Sequence, residues 1–188
     1  MKVRQNGRRK HFRTVAFDAR ANEVILIDQR RLPHTFVLTR TANYRQTAAA
    51  ITNMTVRGAG AIGATAAYGL AQGIRAFPGK TAAAFDRHVQ RVYDHLAAAR
   101  PTAVDLVNAM NDVRAALAPG STIAQKQKLA LAAAEQFADD DVAHCEAIGK
   151  HGAKLIKNGT RILTHCNAGW LAFVDIGSAT APMYAAQA

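Results

Sequence analysis

Cysteine is almost missing from this chain: among 188 residues there are two, Cys145 and Cys166. Two thiols cannot build a disulfide framework, and no Cys-x-x-Cys pair is present to grip a metal, so a reducing cytoplasm is the expected compartment and no metal site is expected. Aromatic residues are scarce as well, 6% with a single tryptophan. Alanine fills roughly a fifth of the chain, and this pairing favours close-packed helices over a β-sandwich. A long apolar run is lacking too. The best stretch, residues 59–76, is broken by Gly60, Gly63, Tyr68, Gly69, Gln72, Gly73 and Arg75 and makes a poor bilayer span, so no membrane partner is expected. The basic start resembles a signal-peptide n-region, but Arg13, Asp18, Arg20 and Glu23 interrupt the apolar segment that should follow, which argues against secretion.

Acidic residues are in deficit: 13 against 24 Lys and Arg give a net charge of +11. That balance suits anionic partners, whether nucleic acid, acidic lipid or phosphorylated metabolites. The basic run Lys2, Arg4, Arg8, Arg9, Lys10 and Arg13 has no interleaved aromatics and matches no common recognition module. Nucleic acid is therefore disfavoured, and a mobile solvated tail is expected. Hydrophobic residues at 49% and charged residues at 20% are ordinary for a folded domain with a sizeable core.

Apolar stretches at 14–17, 23–27 and 35–38, separated by turn-forming segments, predict a small antiparallel β element. From Tyr44 the spacing turns helical, through Ala48, Ile51 and Met54, and this helix ends before Arg57-Gly58-Ala59-Gly60. Further helices are expected over about 61–76, stopped by Pro78-Gly79, and over 81–99 behind a Thr81 cap. Another starts at Pro101 or Thr102 and closes at Pro119-Gly120, and a long one runs from a Ser121 or Thr122 cap to about Lys157. Asn158-Gly159 signals a turn. Residues 160–164 read as a short buried-type strand leading into His165-Cys-Asn-Ala-Gly169, with a helix over 170–186. The expected class is helix-rich α/β, with a mostly helical domain over 1–157 and residues 158–188 as the first strand-loop-helix unit of a parallel-sheet domain. One parallel strand has nothing to pair with, so the chain reads as cut short.

Three constellations point to chemistry. Arg57-Gly58-Ala59-Gly60 with Gly63 puts glycines at a loop-to-helix junction, where backbone amides approach a phosphate closely and Arg57 adds a charged contact. Tight helix packing accounts for the same glycines equally well. Arg100-Pro101-Thr102 sets a second arginine beside a helix start, which by itself reads as an ordinary solvated cap. Cys166 lies after the expected strand and before the expected helix, where ligands gather in open α/β sheets and a thiol favours its thiolate. The alternative is a small buried hydrophobe, the role that suits mid-helix Cys145. His88 with His95, and His144 with His151, align on helix faces without a third ligand, so no metal site follows from them.

In order along the chain, Ile27-Asp-Gln-Arg30 with Leu32-Pro33, the run from Asn53 through Arg57-Gly-Ala to Gly69, Arg100-Pro-Thr-Ala-Val-Asp-Leu106 and Ile162-Leu-Thr-His-Cys-Asn-Ala-Gly169 resemble the signatures of the methylthioribose-1-phosphate isomerases. That family includes the alpha, beta and delta subunits of translation initiation factor 2B. The resemblance covers nearly everything from about Arg13, but only about the first half of the family's length. It implies a mostly helical N-terminal domain followed by a Rossmann-like domain, in a cytoplasmic, cofactor-free aldose-to-ketose isomerase of a sugar 1-phosphate. It further implies that Arg57, Gly58, Ala59 and Arg100 bind the substrate phosphate and that Cys166 is catalytic, moving a hydrogen between C2 and C1 as a proton or a hydride. The family's catalytic aspartate falls in the half not represented here, and Asp175 follows Cys166 too soon to replace it. The 188-residue chain alone is thus expected to bind a phosphorylated sugar weakly and not to turn it over. An incompletely covered C-terminal helix around Trp170, Leu171 and Phe173 is expected to form a homodimer.

The family carries Pro where Gly60 stands, and Thr and Ala where Ala168 and Trp170 stand. These departures leave open an isomerase of 5-deoxyribose 1-phosphate or ribose 1,5-bisphosphate. A non-catalytic regulatory subunit of the initiation factor 2B type is the third reading.

Overall fold

Helix-favouring composition gives six α-helices among the described residues: α1 (Tyr44–Thr52), α2 (Ala59–Arg75), α3 (Ala82–Ala97), α4 (Val104–Ala115), α5 (Ile123–Gly152) and α6 (Ala181–Gln187), with side-chain caps on α1, α3 and α5. The structure is a computed structural model and describes residues 2–5 and 7–188. The Asn43 side chain accepts the Arg45 and Gln46 N–H groups at the start of α1, and Thr81 does the same for Ala84 in α3. Thr122 and Gln125 close a reciprocal capping box on α5. Each such cap satisfies backbone donors that the helix cannot.

α2 is the hub. Every residue from Gly60 to Ile74 is buried, because its small side chains let α1, α3, α4 and α5 pack around it. A β-carbon at Gly73 would come within 2.6 and 2.9 Å of the two Val92 methyls, so the α2–α3 approach depends on its absence. Phe85, Leu96, Leu106 and Met110 fill the surrounding layer. The polar Gln72 is tolerated there because its amide is fully used: Nε2 donates to the carbonyls of Thr41 (2.7 Å) and Asn22 (2.9 Å), and Oε1 accepts from Thr47 Oγ1 (2.8 Å).

Against one side of α2 lies a three-stranded antiparallel sheet of β3 (Val15–Asp18), β4 (Glu23–Ile27) and β5 (Leu38–Thr41), with Val15 opposite Leu26 and Ile27 opposite Leu38. The third strand begins three residues later than expected. Asp28 gathers the intervening loop, accepting from the Arg30 backbone and, through both carboxylate oxygens, from its guanidinium. The basic N-terminus is not a tail: β1 (Lys2–Gln5) and β2 (Arg8–His11) form an antiparallel hairpin. Its ladder needs backbone groups rather than apolar side chains, and His11 Nε2 hydrogen-bonds Asp175 Oδ2 to anchor it.

Two expectations for the C-terminal part fail. Residues 160–164 form no strand, and residues 157–167 are all exposed, with Leu163 97% accessible. A parallel strand draws its stability from neighbours on its edges, and none is present among the described residues. The helix over 170–186 is also absent. The chain makes a single 3-10 turn at Trp170–Ala172, passes through left-handed Ile176 (φ 68°) and Gly177 (φ 89°), and becomes helical only at Ala181. Side-chain and backbone bonds hold it in that path: Val174 N–H donates to Asp141 Oδ2 (2.7 Å), and Thr14 N–H donates to the Val174 carbonyl (2.8 Å). Ala172 and Val174 are consequently buried, and Trp170, Leu171 and Phe173 half-buried, rather than displayed as an uncovered helix face.

Candidate functional site

Of the candidate residues, Arg57, Gly58 and Ala59 lie at the N-terminal turn of α2. Arg57 and Ala59 are exposed and Gly58 half-buried. Gly58 is the N-cap of α2, with φ 102° and ψ 145°, and no side chain caps its first turn. Only glycine enters that conformation without strain. A β-carbon there would also run into the Ala172 backbone and approach the Ala172 Cβ to 2.5 Å. No side chain of the described residues caps the α2 amides, and the glycines sit at a loop-to-helix junction as the sequence pattern implies.

Neighbouring elements converge on this turn. A β-carbon at Gly60 would strike Asp141 Oδ1 of α5 and lie 2.8 Å from the Phe173 ring, and one at Gly63 would lie 3.2 Å from the Asp105 carbonyl in the first turn of α4. The segment carrying Arg100 leads directly into α4. At the other end of the Arg57 loop, Thr52 Oγ1 donates to the Ala99 carbonyl (3.2 Å), tying the end of α1 to the residue before Arg100. Arg100 itself is half-buried. The two arginine loops thus border the same end of the bundle.

Cys166 is placed differently from the expectation. It is exposed, in coil, with φ 64°, preceded by no strand and followed by no α-helix until Ala181. The residues after it are held more firmly. Ser178 N–H (3.1 Å) and Thr180 Oγ1 (3.3 Å) both donate to the Ala168 carbonyl, and Gly169 pairs with Gly177 in an antiparallel bridge. Cys145, by contrast, is buried, and burial, with Asp141 and Asp175 nearby, pushes its thiol up to about 11. At neutral pH it is a packed thiol and not a nucleophile.

Residues that sequence reasoning left without a role complete the surroundings. Asp141 is held above the usual carboxylate range, chiefly by burial, although the Val174 N–H pulls the other way. Asp175, buried and bonded to His11, lies in the loop after the 3-10 turn and not in a helix. Gln29 is 1% exposed and sits between the Arg57 loop and the 3-10 turn. The motif Ile27-Asp-Gln-Arg30 was the only sequence signal for it. Among the described residues no group of three or more His, Cys, Asp or Glu side chains could hold a metal ion, and no helix is long and apolar enough to cross a membrane.

A mostly helical body with a glycine-capped, arginine-flanked helix start defines the class of chain. The sequence pattern of the initiation factor 2 subunit family matches residues 55–187, and the chain belongs to that family. Among individual relatives, methylthioribose-1-phosphate isomerase of Methylorubrum extorquens is 45% identical over 93% of this chain and 48% of that protein. The enzyme of the same name from Escherichia coli is 40% identical over 96% of this chain and 49% of its own length. Of solved structures, 5-methylthioribose 1-phosphate isomerase from Pyrococcus horikoshii superposes with a TM-score of 0.85 at 36% identity, covering 94% of this chain and 50% of that one. The delta subunit of translation initiation factor 2B from A. fulgidus gives 0.84 at 34%, over 94% and 51%. The chain spans about half the length of the relatives it matches.

Proposed function

We propose that this protein is an aldose-ketose isomerase of a sugar 1-phosphate, converting methylthioribose 1-phosphate to methylthioribulose 1-phosphate in methionine salvage in the cytoplasm. The observation that carries the reading is the 45% identity to methylthioribose-1-phosphate isomerase across nearly the whole chain, whose sequence contains the Arg57 loop, Arg100 and Cys166 that the resemblance assigns to the site. The reaction is redox-neutral within one molecule. The C1–O ring bond breaks, the hydrogen on C2 moves to C1, the 2-hydroxyl becomes the C2 carbonyl, and its proton ends on the former ring oxygen. Arg57, Gly58, Ala59 and Arg100 hold the phosphate, and Cys166 serves the C2-to-C1 transfer. A carboxylate at the ring oxygen comes from the remainder of the length that the relatives possess.

In this reading residues 158–188 lead into a Rossmann-like parallel-sheet domain, where 160–164 gains the strand neighbours it lacks here. The apolar residues left exposed, Leu155, Ile162, Leu163 and Tyr184, are then covered by that domain or by a second copy in a homodimer. A regulatory role of the initiation factor 2B type is the second reading, favoured by the TM-score of 0.84 to a delta subunit.

Turnover decides between them. The 188-residue chain and a chain completed to the length of its relatives are assayed with methylthioribose 1-phosphate, 5-deoxyribose 1-phosphate and ribose 1,5-bisphosphate. The completed chain is expected to isomerise the first with the highest kcat/KM, and the 188-residue chain to show no turnover. A completed chain that is folded and inert on all three sugars overturns the isomerase reading in favour of the regulatory one.

A further inference from the structure

Gln29 is the buried polar side chain whose environment the site description leaves unexplained. Its Nε2 donates to two carbonyls that are remote in sequence: that of Arg57 (3.2 Å) and that of Leu171 (2.7 Å), five residues beyond Cys166. Both partners can only accept, so the nitrogen must face them, and the orientation of the amide is set by chemistry. Its own backbone N–H donates to the Thr55 carbonyl (2.9 Å), so one residue holds the Arg57 loop at two points. Its Oε1 is buried and has no hydrogen-bond partner among the described residues. Gln72, the other buried glutamine, leaves nothing unpaired.

Leaving a buried amide oxygen unpaired costs free energy that an apolar side chain of the same shape would avoid. A side chain kept purely for packing has no need of that cost. The two donations of Nε2, together with the close seating of Ala172 on Gly58, form the seam between the arginine loop and the segment that follows the thiol. We infer that Gln29 is a positioning residue: it fixes the Arg57 carbonyl, and with it the start of α2, relative to the chain that carries Cys166. This rests on the phosphate and thiol roles proposed above. Without the clamp the phosphate is held in one place and the reacting carbons are presented to the thiol in another.

The test uses Gln29→Met, which keeps the side-chain length and removes both donors, and Gln29→Glu, which can donate only when protonated. Amide hydrogen exchange on the full chain is the readout that does not depend on activity. Residues 55–60 and 169–172 are expected to exchange faster together in Gln29→Met, while α3 and the rest of α2 keep wild-type protection. In the completed chain, kcat/KM for methylthioribose 1-phosphate should fall about ten- to a hundredfold, as small misplacements of bound groups do. Gln29→Glu should recover part of that loss as pH falls and its buried carboxyl takes up a proton, a pH dependence that a packing role does not produce. Unchanged exchange in both segments overturns the inference whether or not the protein is an isomerase. Wild-type kcat and KM in Gln29→Met, in an active completed chain, overturns it as well. An inactive wild type with coupled exchange in the two segments would defeat the isomerase reading and leave the clamp standing.

Discussion

The α2-centred bundle and the segment 157–167 obey opposite rules. In the bundle, side chains from four helices close on α2 so tightly that a single added carbon at Gly73 would collide with Val92. In the segment, Arg161-Ile-Leu-Thr164 has the composition of a buried strand yet is exposed throughout. The difference lies in where the stabilising partners are. Helices satisfy their backbone internally and need only an apolar face to bury, whereas a strand must find neighbours on its edges before it exists at all.

The largest expected break in this contrast is Phe85→Ala. The ring is 1% exposed and packs edge-on against Phe77 at 5.4 Å between centroids. Its removal should cost about 3 to 5 kcal/mol by chemical denaturation, the usual range for a large aromatic in a core. A loss below about 1 kcal/mol would mean that the bundle is far looser than its packing indicates.

Next come the arginines. In a chain extended to the length of its relatives, Arg57→Ala or Arg100→Ala should weaken sugar-phosphate binding at least about tenfold, the consequence of losing a charge-assisted hydrogen bond of about 1.5 to 3 kcal/mol. Calorimetry with unchanged affinity in both variants would remove the phosphate assignment.

The thiols compare the two regions directly. Iodoacetamide at neutral pH should label exposed Cys166 well before Cys145, whose thiol burial pushes up to about 11. Peptide mass spectrometry showing Cys145 labelled first in folded protein would reverse that assignment.

Asp141 supplies a pH test. Its carboxyl is raised by burial, so folding favours the protonated form, and the carboxylate weakens the fold as pH rises through the folded-state value. Asp141→Asn keeps an acceptor for Val174 N–H and removes the charge. It should be at least as stable as the parent at neutral pH, with the advantage shrinking as pH falls toward the ordinary value of 3.8. Melting curves that show the advantage growing toward acid would contradict the burial argument. The smallest effect belongs to Leu163→Ser, expected within about 0.5 kcal/mol of wild type because the side chain is already in water.

Much of the helical body was legible in advance. Thr81 and Thr122 cap the helices as their positions suggested, and the glycines of 57–63 do mark a loop-to-helix junction. These signals are local: a capping side chain bonds an amide two or three residues away, and a glycine without a β-carbon has the same conformational freedom in any fold. The N-terminal hairpin was missed because the ladder that makes it is drawn by backbone pairing, to which charged side chains are no guide.

Residue type and spacing by themselves determined the order of α1 to α5, the Thr81 and Thr122 caps and the glycine loop that opens α2, while Arg100 and Cys166 stood out as site candidates only through the resemblance to a family. Only tertiary structure decided that the Arg57 loop meets Ala172, that Asp141 turns inward to hold Val174, that Asp175 binds His11, and that Gln29 reaches both Arg57 and, 142 positions along the sequence from itself, Leu171. It also decided that 160–164 stays unpaired. The physical reason is one of range: caps and turns are settled within a few residues, whereas the partner of a buried amide, a carboxylate or a strand edge is chosen by whatever the folded chain brings within about 3 Å of it.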